Sequence, residues 1–62
     1  MNKRYAIKFK EGIDEIKKSA ILQLGVVVDF LNSFGIYVIE LSQEIFFTLR
    51  KDVDLLYVKE ST

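Results

Sequence analysis

The sequence contains few side chains that could carry out chemistry. Two pairs of neighbouring carboxylates, Asp14 with Glu15 and Asp52 with Asp54, have a spacing that general acid–base catalysis could use. The chain has no His and no Cys, so it lacks the usual general base, the usual metal ligand and a thiolate nucleophile. We therefore interpret both acidic pairs as solvated charges or helix caps, and we expect a non-catalytic domain without a metal or other cofactor.

Basic and aromatic side chains are a second group that could carry a function, because together they bind nucleic acids. The lysines are interspersed with acids, and nine basic and nine acidic residues leave the chain with no net charge. Nucleic-acid-binding domains are usually basic, and the segment IYVIEL lacks the glycine and basic residues of a base-stacking strand. The composition therefore predicts no nucleic-acid partner. No apolar run reaches the ~20 residues of a membrane-spanning helix, so we expect no membrane partner either.

The length of the chain limits its organisation. Sixty-two residues form one domain, 1–62, and a domain of this size buries only about 60% of its unfolded surface. Half of the residues are hydrophobic and proline is absent, which indicates regular structure without a linker. Met1 leads directly into a strand pattern and leaves no room for a signal peptide. We expect a cytoplasmic protein if Met1 is the native start, and a secreted precursor if an upstream signal has been removed.

Hydrophobic periodicity predicts a strand and a helix in the first part of the chain. Residues 4–10 alternate between apolar and polar, as in a half-buried strand. From Ile13 to Leu24 the apolar residues take helical spacing, with Ile16 and Ala20 on the same side and Lys17 mostly on the wet side, and Gly25 ends the helix.

The remainder of the chain predicts three strands and one helix. Residues 26–31 and 36–41 are rich in β-branched and aromatic side chains, and the turn NSFG joins them into a hairpin. Ser42 is the predicted N-cap of a short helix that reaches about Lys51, with Ile45, Phe46 and Leu49 on its apolar side. Residues 55–59 form the last strand. The order β-α-β-β-α-β predicts an α+β, ferredoxin-like fold, with two helices on one face of a four-stranded antiparallel sheet.

Two helices cover only one face of such a sheet, yet the strands carry apolar residues for both faces. Alternation directs one set toward the helices, namely Ile7, Phe9, Val28, Phe30, Tyr37, Ile39, Leu41, Leu56 and Val58. The other set is expected to face outward, namely Ala6, Val27, Leu31, Ile36, Val38, Leu55 and Tyr57. A contiguous apolar patch on the outside of a small protein indicates a protein interface.

Four segments of the chain resemble the subtilisin propeptides, the inhibitor I9 family. YAIKFK is similar to the family's first strand, Y-I-V-x-F-K, and Gly25 with VVVDFL is similar to the glycine and strand after its first helix. NSFGIYVIEL resembles the family's hairpin. LRKDVDLLYVKE resembles the ending L-K-x-D-P-x-V-x-Y-V-E-x-D, with Val53 in place of proline and Lys59 in place of a carboxylate. The similarity runs from Tyr5 to Glu60 in the family's order.

The resemblance implies a fold, a partner and a binding surface. Subtilisin propeptides pack their open sheet face on two surface helices of a subtilisin-like serine protease, assist its folding and then inhibit it. The segment after their last strand enters the active-site cleft. The partner-binding residues implied for this chain are Ala6, Ile36, Val38, Leu55, Tyr57 and Lys59 on the sheet, with Glu60, Ser61 and Thr62 leading toward the cleft.

The sequence leaves two hypotheses open. The first is a prodomain of a subtilisin-like serine protease that acts as an intramolecular chaperone and inhibitor. The second is a small self-associating regulatory or structural domain, which covers the same outward face with a second copy of itself. A homodimer in the absence of any protease would favour the second hypothesis.

Overall fold

The fold was examined in a computed structural model that describes residues 2–61. In chain order it comprises β1 (Asn2–Phe9), α1 (Glu15–Leu22), β2 (Val26–Leu31), β3 (Ile36–Ser42), α2 (Gln43–Leu49) and β4 (Leu55–Glu60). The strands form one antiparallel sheet in the order β2-β3-β1-β4. The predicted α+β, ferredoxin-like arrangement is therefore confirmed, and the element bounds agree with the prediction to within two residues.

The core lies between the helices and one face of the sheet. Its buried residues are Tyr5, Ile7, Phe9, Ile21, Ile39, Leu41, Leu49 and Leu55. Phe46 of α2 stacks on Tyr5, with ring centroids 4.3 Å apart. Such aromatic pairs add about 0.5–1.5 kcal/mol beyond their buried area. The residues predicted for the apolar side of α2, Ile45, Phe46 and Leu49, all pack into this core.

Polar side chains cap both helices at their first turns. The Asp14 carboxylate accepts a hydrogen bond from the backbone N–H of Ile16 at 2.8 Å. The Ser42 hydroxyl accepts one from the N–H of Ile45 at 3.3 Å, as its predicted N-cap role requires. Each bond satisfies one of the N–H groups that a helix leaves without an internal partner.

A bulge between β1 and β4 reverses the predicted faces of two leucines. Lys8 lies opposite Tyr57 but Phe9 lies opposite Leu55, so Leu56 is an extra residue in β4. Leu55 consequently shares the helix side with Phe9 and is 7% exposed, whereas Leu56 is 56% exposed. The predicted outward position of Leu55 and inward position of Leu56 are therefore wrong. Strict alternation fails here because an inserted residue shifts the side chains that precede it to the other face.

A second bulge alters the predicted faces in β2. Val27 lies opposite Ile39 and Asp29 lies opposite Val38, which leaves Val28 as the extra residue. Residues opposite each other in an antiparallel pair point to the same face. Val27 therefore lies on the helix side with Ile39, and its predicted outward position is wrong.

The inner face of α1 also differs from the prediction. Ile16 is 80% exposed and Leu24 is 47% exposed, while Ile21 is buried. Lys17 and Ile21 are spaced by four residues and therefore share one helix face. Lys17, predicted mostly on the wet side, keeps 42% of its side chain exposed, because a lysine can lay its aliphatic stem along apolar surface and reach out with its ammonium group.

Candidate functional site: the open sheet face

The sheet face opposite the helices is the strongest candidate for a binding surface, and we call it the open face. Its central residue is Ala6 of β1, which lies opposite Val38 of β3 and Lys59 of β4. Strand pairing extends this face from edge to edge of the sheet. Its members are Arg4, Ala6, Lys8, Val26, Asp29, Leu31, Ile36, Val38, Glu40, Tyr57 and Lys59.

The middle of the open face is apolar. Ala6 is small and is buried by the side chains around it, while Ile36, Val38 and Tyr57 are half-buried and Leu31 is exposed. Within residues 2–61 both helices pack on the opposite side, so the chain that the structure describes leaves these side chains uncovered. A protein this small rarely leaves a contiguous apolar patch in water unless the patch binds something.

Charged side chains surround the apolar middle. Arg4 and Glu40 form an ion pair with 3.6 Å between Nε and Oε2. Lys59 lies over the ring of Tyr57, with its ammonium 5.3 Å from the ring centroid. Lys8 lies opposite Tyr57 on the neighbouring strand, and the ion pairs found among the described residues include neither Lys8 nor Lys59. Two cations therefore flank Tyr57.

The structure brings together five of the residues predicted to bind a partner and separates the others. Ala6, Ile36, Val38, Tyr57 and Lys59 share the open face. The prediction for Leu55 fails because of the bulge described above. Lys8 was not among the predicted binding residues, although simple alternation in β1 already places it beside Ala6.

The end of β4 leaves the open face. Glu60 lies opposite Tyr5, on the helix side, and its carboxylate is 3.5 Å from the Lys3 ammonium. The Ser61 N–H donates to the Arg4 carbonyl at 2.8 Å, which continues the pairing with β1. Thr62 lies outside the described residues. The Glu60 side chain therefore makes an intramolecular ion pair, and the predicted path of the tail toward a partner's cleft stays a prediction.

The second acidic pair forms a structural ion cluster. The Lys17 ammonium lies 3.0 Å from an Asp52 carboxylate oxygen and also donates to Asp54. The Asp54 N–H donates to Asp52 at 2.9 Å. That backbone hydrogen bond, followed by the Lys17 ammonium, holds the pKa of Asp52 below its ordinary value. The bonds to Asp54 and Asp52 raise the pKa of Lys17, so both carboxylates bind a cation of the chain itself.

This cluster predicts how stability depends on pH. Because the folded pKa of Asp52 is depressed, its contribution is present above the unfolded value of about 3.9 and is lost as the pH falls through the folded pKa. Because the folded pKa of Lys17 is raised, its contribution is present below about 10.4 and is lost as the pH rises through the folded pKa.

Urea unfolding of the wild type and Lys17→Met between pH 2 and pH 12 measures the effect. We expect the difference in unfolding free energy between the two proteins to be largest between about pH 5 and pH 9 and to shrink toward both extremes. A difference that stays constant across this range would show that the ion cluster contributes nothing.

A cleft of about 570 Å³ lies where the loop after β1 approaches the β2–β3 hairpin. Its lining includes Phe9, Tyr37 and Lys18, and the Lys18 ammonium lies 5.7 Å and 5.3 Å from the two ring centroids. These cation–π contacts hold α1 against the sheet.

The described residues show no cluster of three or more acidic, histidine or cysteine side chains that could hold a metal ion. In the same part of the chain, each helix is too short or too polar to cross a membrane. Comparisons with family models, with curated proteins and with solved structures found no match for this chain. The fold and the geometry of the open face are therefore the evidence that bears on function.

Proposed function

We propose that this chain is a binding module of the subtilisin-prodomain type, which packs its open face on a subtilisin-like serine protease, assists the folding of that protease and inhibits it. The observation that carries the proposal is the uncovered apolar middle of the open face, around Ala6, Val38 and Tyr57. The resemblance of four segments to subtilisin propeptides, described above, supports the choice of partner.

The driving force of such binding is burial of apolar surface. Ile36, Val38 and Tyr57 are partly exposed in the free chain and would lose their remaining contact with water against a partner helix, at roughly 25 cal/mol per Å² of apolar area. The antiparallel sheet holds these side chains in fixed positions, so little conformational entropy is lost on docking.

The charges on the open face are expected to set the orientation of the bound partner. Lys8 and Lys59 flank Tyr57 and would meet carboxylates or the carboxyl-terminal end of a partner helix, where the helix dipole favours cations. Subtilisin propeptides carry a carboxylate where this chain has Lys59, so the orientation of the contacted helices is expected to differ at this point. Leu55 and Glu60 have no place in the proposed interface because they lie on the helix side.

Folding would be linked to binding in this proposal. A domain of 62 residues without disulfides or metals is expected to be only marginally stable. A protease that binds the folded chain but not the unfolded chain stabilises the fold by mass action. When the free protease concentration is one hundred times the dissociation constant, the gain is about 2.7 kcal/mol.

The proposal is tested by measuring hydrolysis of a chromogenic peptide by a subtilisin-like protease while the chain is added up to 10 µM. We expect the rate to fall with increasing chain, and intact mass to show that the chain survives the first part of the reaction. Unchanged hydrolysis together with rapid digestion of the chain would contradict general inhibition of subtilisin-like proteases. A homodimer formed through the open face, measured by sedimentation of the chain alone, would instead support the self-associating domain.

A further inference from the structure

The exposed apolar residues of the chain are concentrated in one segment. Seven large apolar side chains between residues 24 and 34 are at least 38% exposed, namely Leu24, Val26, Val27, Val28, Phe30, Leu31 and Phe34. Five of them belong to β2, whose six residues are all exposed. This concentration extends beyond the open face, because Val27 and Phe30 lie on the helix side of β2.

β2 is an edge strand, and one of its backbone donors is satisfied by a side chain. The sheet order places β3 on one side of β2 and no described strand on the other. The Phe30 N–H donates to the carboxylate of its neighbour Asp29 at 2.8 Å. Asp29 is the single charged residue of β2. A charged residue on an edge strand opposes pairing with another strand, so Asp29 is expected to weaken any contact at this edge.

The bulge at Val28 allows two antiparallel copies of β2 to pair with their side chains on matching faces. Val26 and Leu31 lie on the open face, opposite Glu40 and Ile36, while Val27 and Phe30 lie on the helix side. In a regular strand, residues 26 and 31 would point to opposite faces, and so would residues 27 and 30. The bulge places the two residues of each pair on the same face, so they can lie beside each other in an antiparallel pair.

A two-fold axis between Val28 and Asp29 would therefore place Val26 beside Leu31 of a second copy, and Val27 beside Phe30 of that copy, with matching faces in both of these pairs. This arrangement also keeps the two Asp29 side chains from lying directly opposite each other, which a regular strand centred on Asp29 would require. Like charges directly opposite across a strand pair are destabilising.

We propose that β2 is a second interaction surface, at which another copy of this chain adds antiparallel to β2 and extends the four-stranded sheet to eight strands. The occupant is a second copy because the self-matching register comes from the chain's own bulge. The absence of net charge in the sequence removes long-range repulsion between copies. This inference does not rest on the proposed protease partner, since an edge contact leaves the middle of the open face uncovered.

The dimer is expected to be weak. Stable interfaces bury about 800 Å² on each partner, which is nearly a fifth of the 4428 Å² accessible surface of this chain. A single six-residue edge supplies less than that, so we expect a dissociation constant on the order of 100 µM. The bond from Phe30 to Asp29 must also open before the Phe30 N–H can donate across the dimer.

Sedimentation equilibrium of the chain between 10 µM and 2 mM tests the inference without any protease. We expect the wild type to dimerise reversibly, Val27→Lys to raise the dissociation constant more than about tenfold, and Asp29→Ala to lower it about tenfold because it frees the Phe30 N–H. Val53→Lys, at a 74% exposed position in the turn before β4, is the matched control and should not change the dimer.

Two results would overturn the inference. One is a wild type and an Asp29→Ala variant that both stay monomeric up to 2 mM while their far-UV circular dichroism shows the folded chain. The other is a dimer that Tyr57→Asp dissociates and Val27→Lys leaves intact, because that pattern places the contact on the open face.

Discussion

Replacement of Gly25 by alanine is expected to destabilise the fold by about 3 kcal/mol and to lower the melting temperature by about 20 °C. A Cβ atom at this position would lie 2.2 Å from the carbonyl oxygen of Glu40 and 2.9 Å from the Cβ of Leu41. Both neighbours belong to β3, so relief of the clash requires the chain to move away from the sheet where it enters β2. Thermal unfolding followed by circular dichroism measures the loss.

Gly12→Ala is the matched control for this prediction. Gly12 has a φ of +84°, but nothing lies within 4 Å of the position where its Cβ would be. Alanine there meets only the intrinsic cost of the left-handed conformation, about 1–2 kcal/mol. A loss at Gly25 no larger than the loss at Gly12 would show that close packing on β3 is not what requires glycine at position 25.

Gly25 also illustrates how much of the fold the sequence predicts. Periodicity, β-branched and aromatic composition, and turn and cap residues were enough to predict all six elements and their ferredoxin-like order, because each is a local property of the chain. Gly25 was predicted as a helix stop, but α1 already ends at Leu22 with Gln23 as its C-cap, and the glycines with positive φ are Gly12 and Gly35. The close contact between Gly25 and Glu40 could not be predicted, since it depends on the distance between segments that are far apart in the sequence.

At the candidate site, too, local strand alternation predicted some side-chain positions correctly, while contacts between distant segments changed others. Alternation in β1 correctly predicted Ala6 on the outward face, and alternation in β3 did the same for Ile36 and Val38. It failed for Leu55 and Val27, because each of these residues lies beside a bulge whose position is set by the neighbouring strand. No residue of β4 or β2 taken alone indicates an inserted residue at Leu56 or Val28.

The role of Lys17 is a further case in which local pattern misleads. Its charge predicted an exposed position, but its ammonium binds Asp52 and Asp54, which are 35 and 37 residues further along the chain. The same contact explains why those two carboxylates, which first suggested chemistry, are structural. The absence of histidine and cysteine favoured a non-catalytic role for the two acids, without identifying Lys17 as their partner.

Tyr57→Asp is expected to weaken inhibition of a subtilisin-like protease by at least about 30-fold. Tyrosines near the middle of an interface commonly contribute 2 kcal/mol or more, which corresponds to this factor. Tyr57 belongs to the open face, with the Lys59 ammonium 5.3 Å from its ring, and a carboxylate there would have to be buried against the partner. The fold should tolerate the change, because Lys8 and Lys59 lie close enough to stabilise the new charge.

The inhibition constants of the wild type, Tyr57→Asp and Val53→Asp against one subtilisin-like protease test the central claim most directly. Val53 is exposed in the turn before β4, so Val53→Asp introduces the same charge away from the open face. The account predicts an inhibition constant for Val53→Asp within about twofold of the wild type and at least about a 30-fold increase for Tyr57→Asp. Equal inhibition constants for all three chains, with each folded at the assay temperature, would contradict binding through the open face.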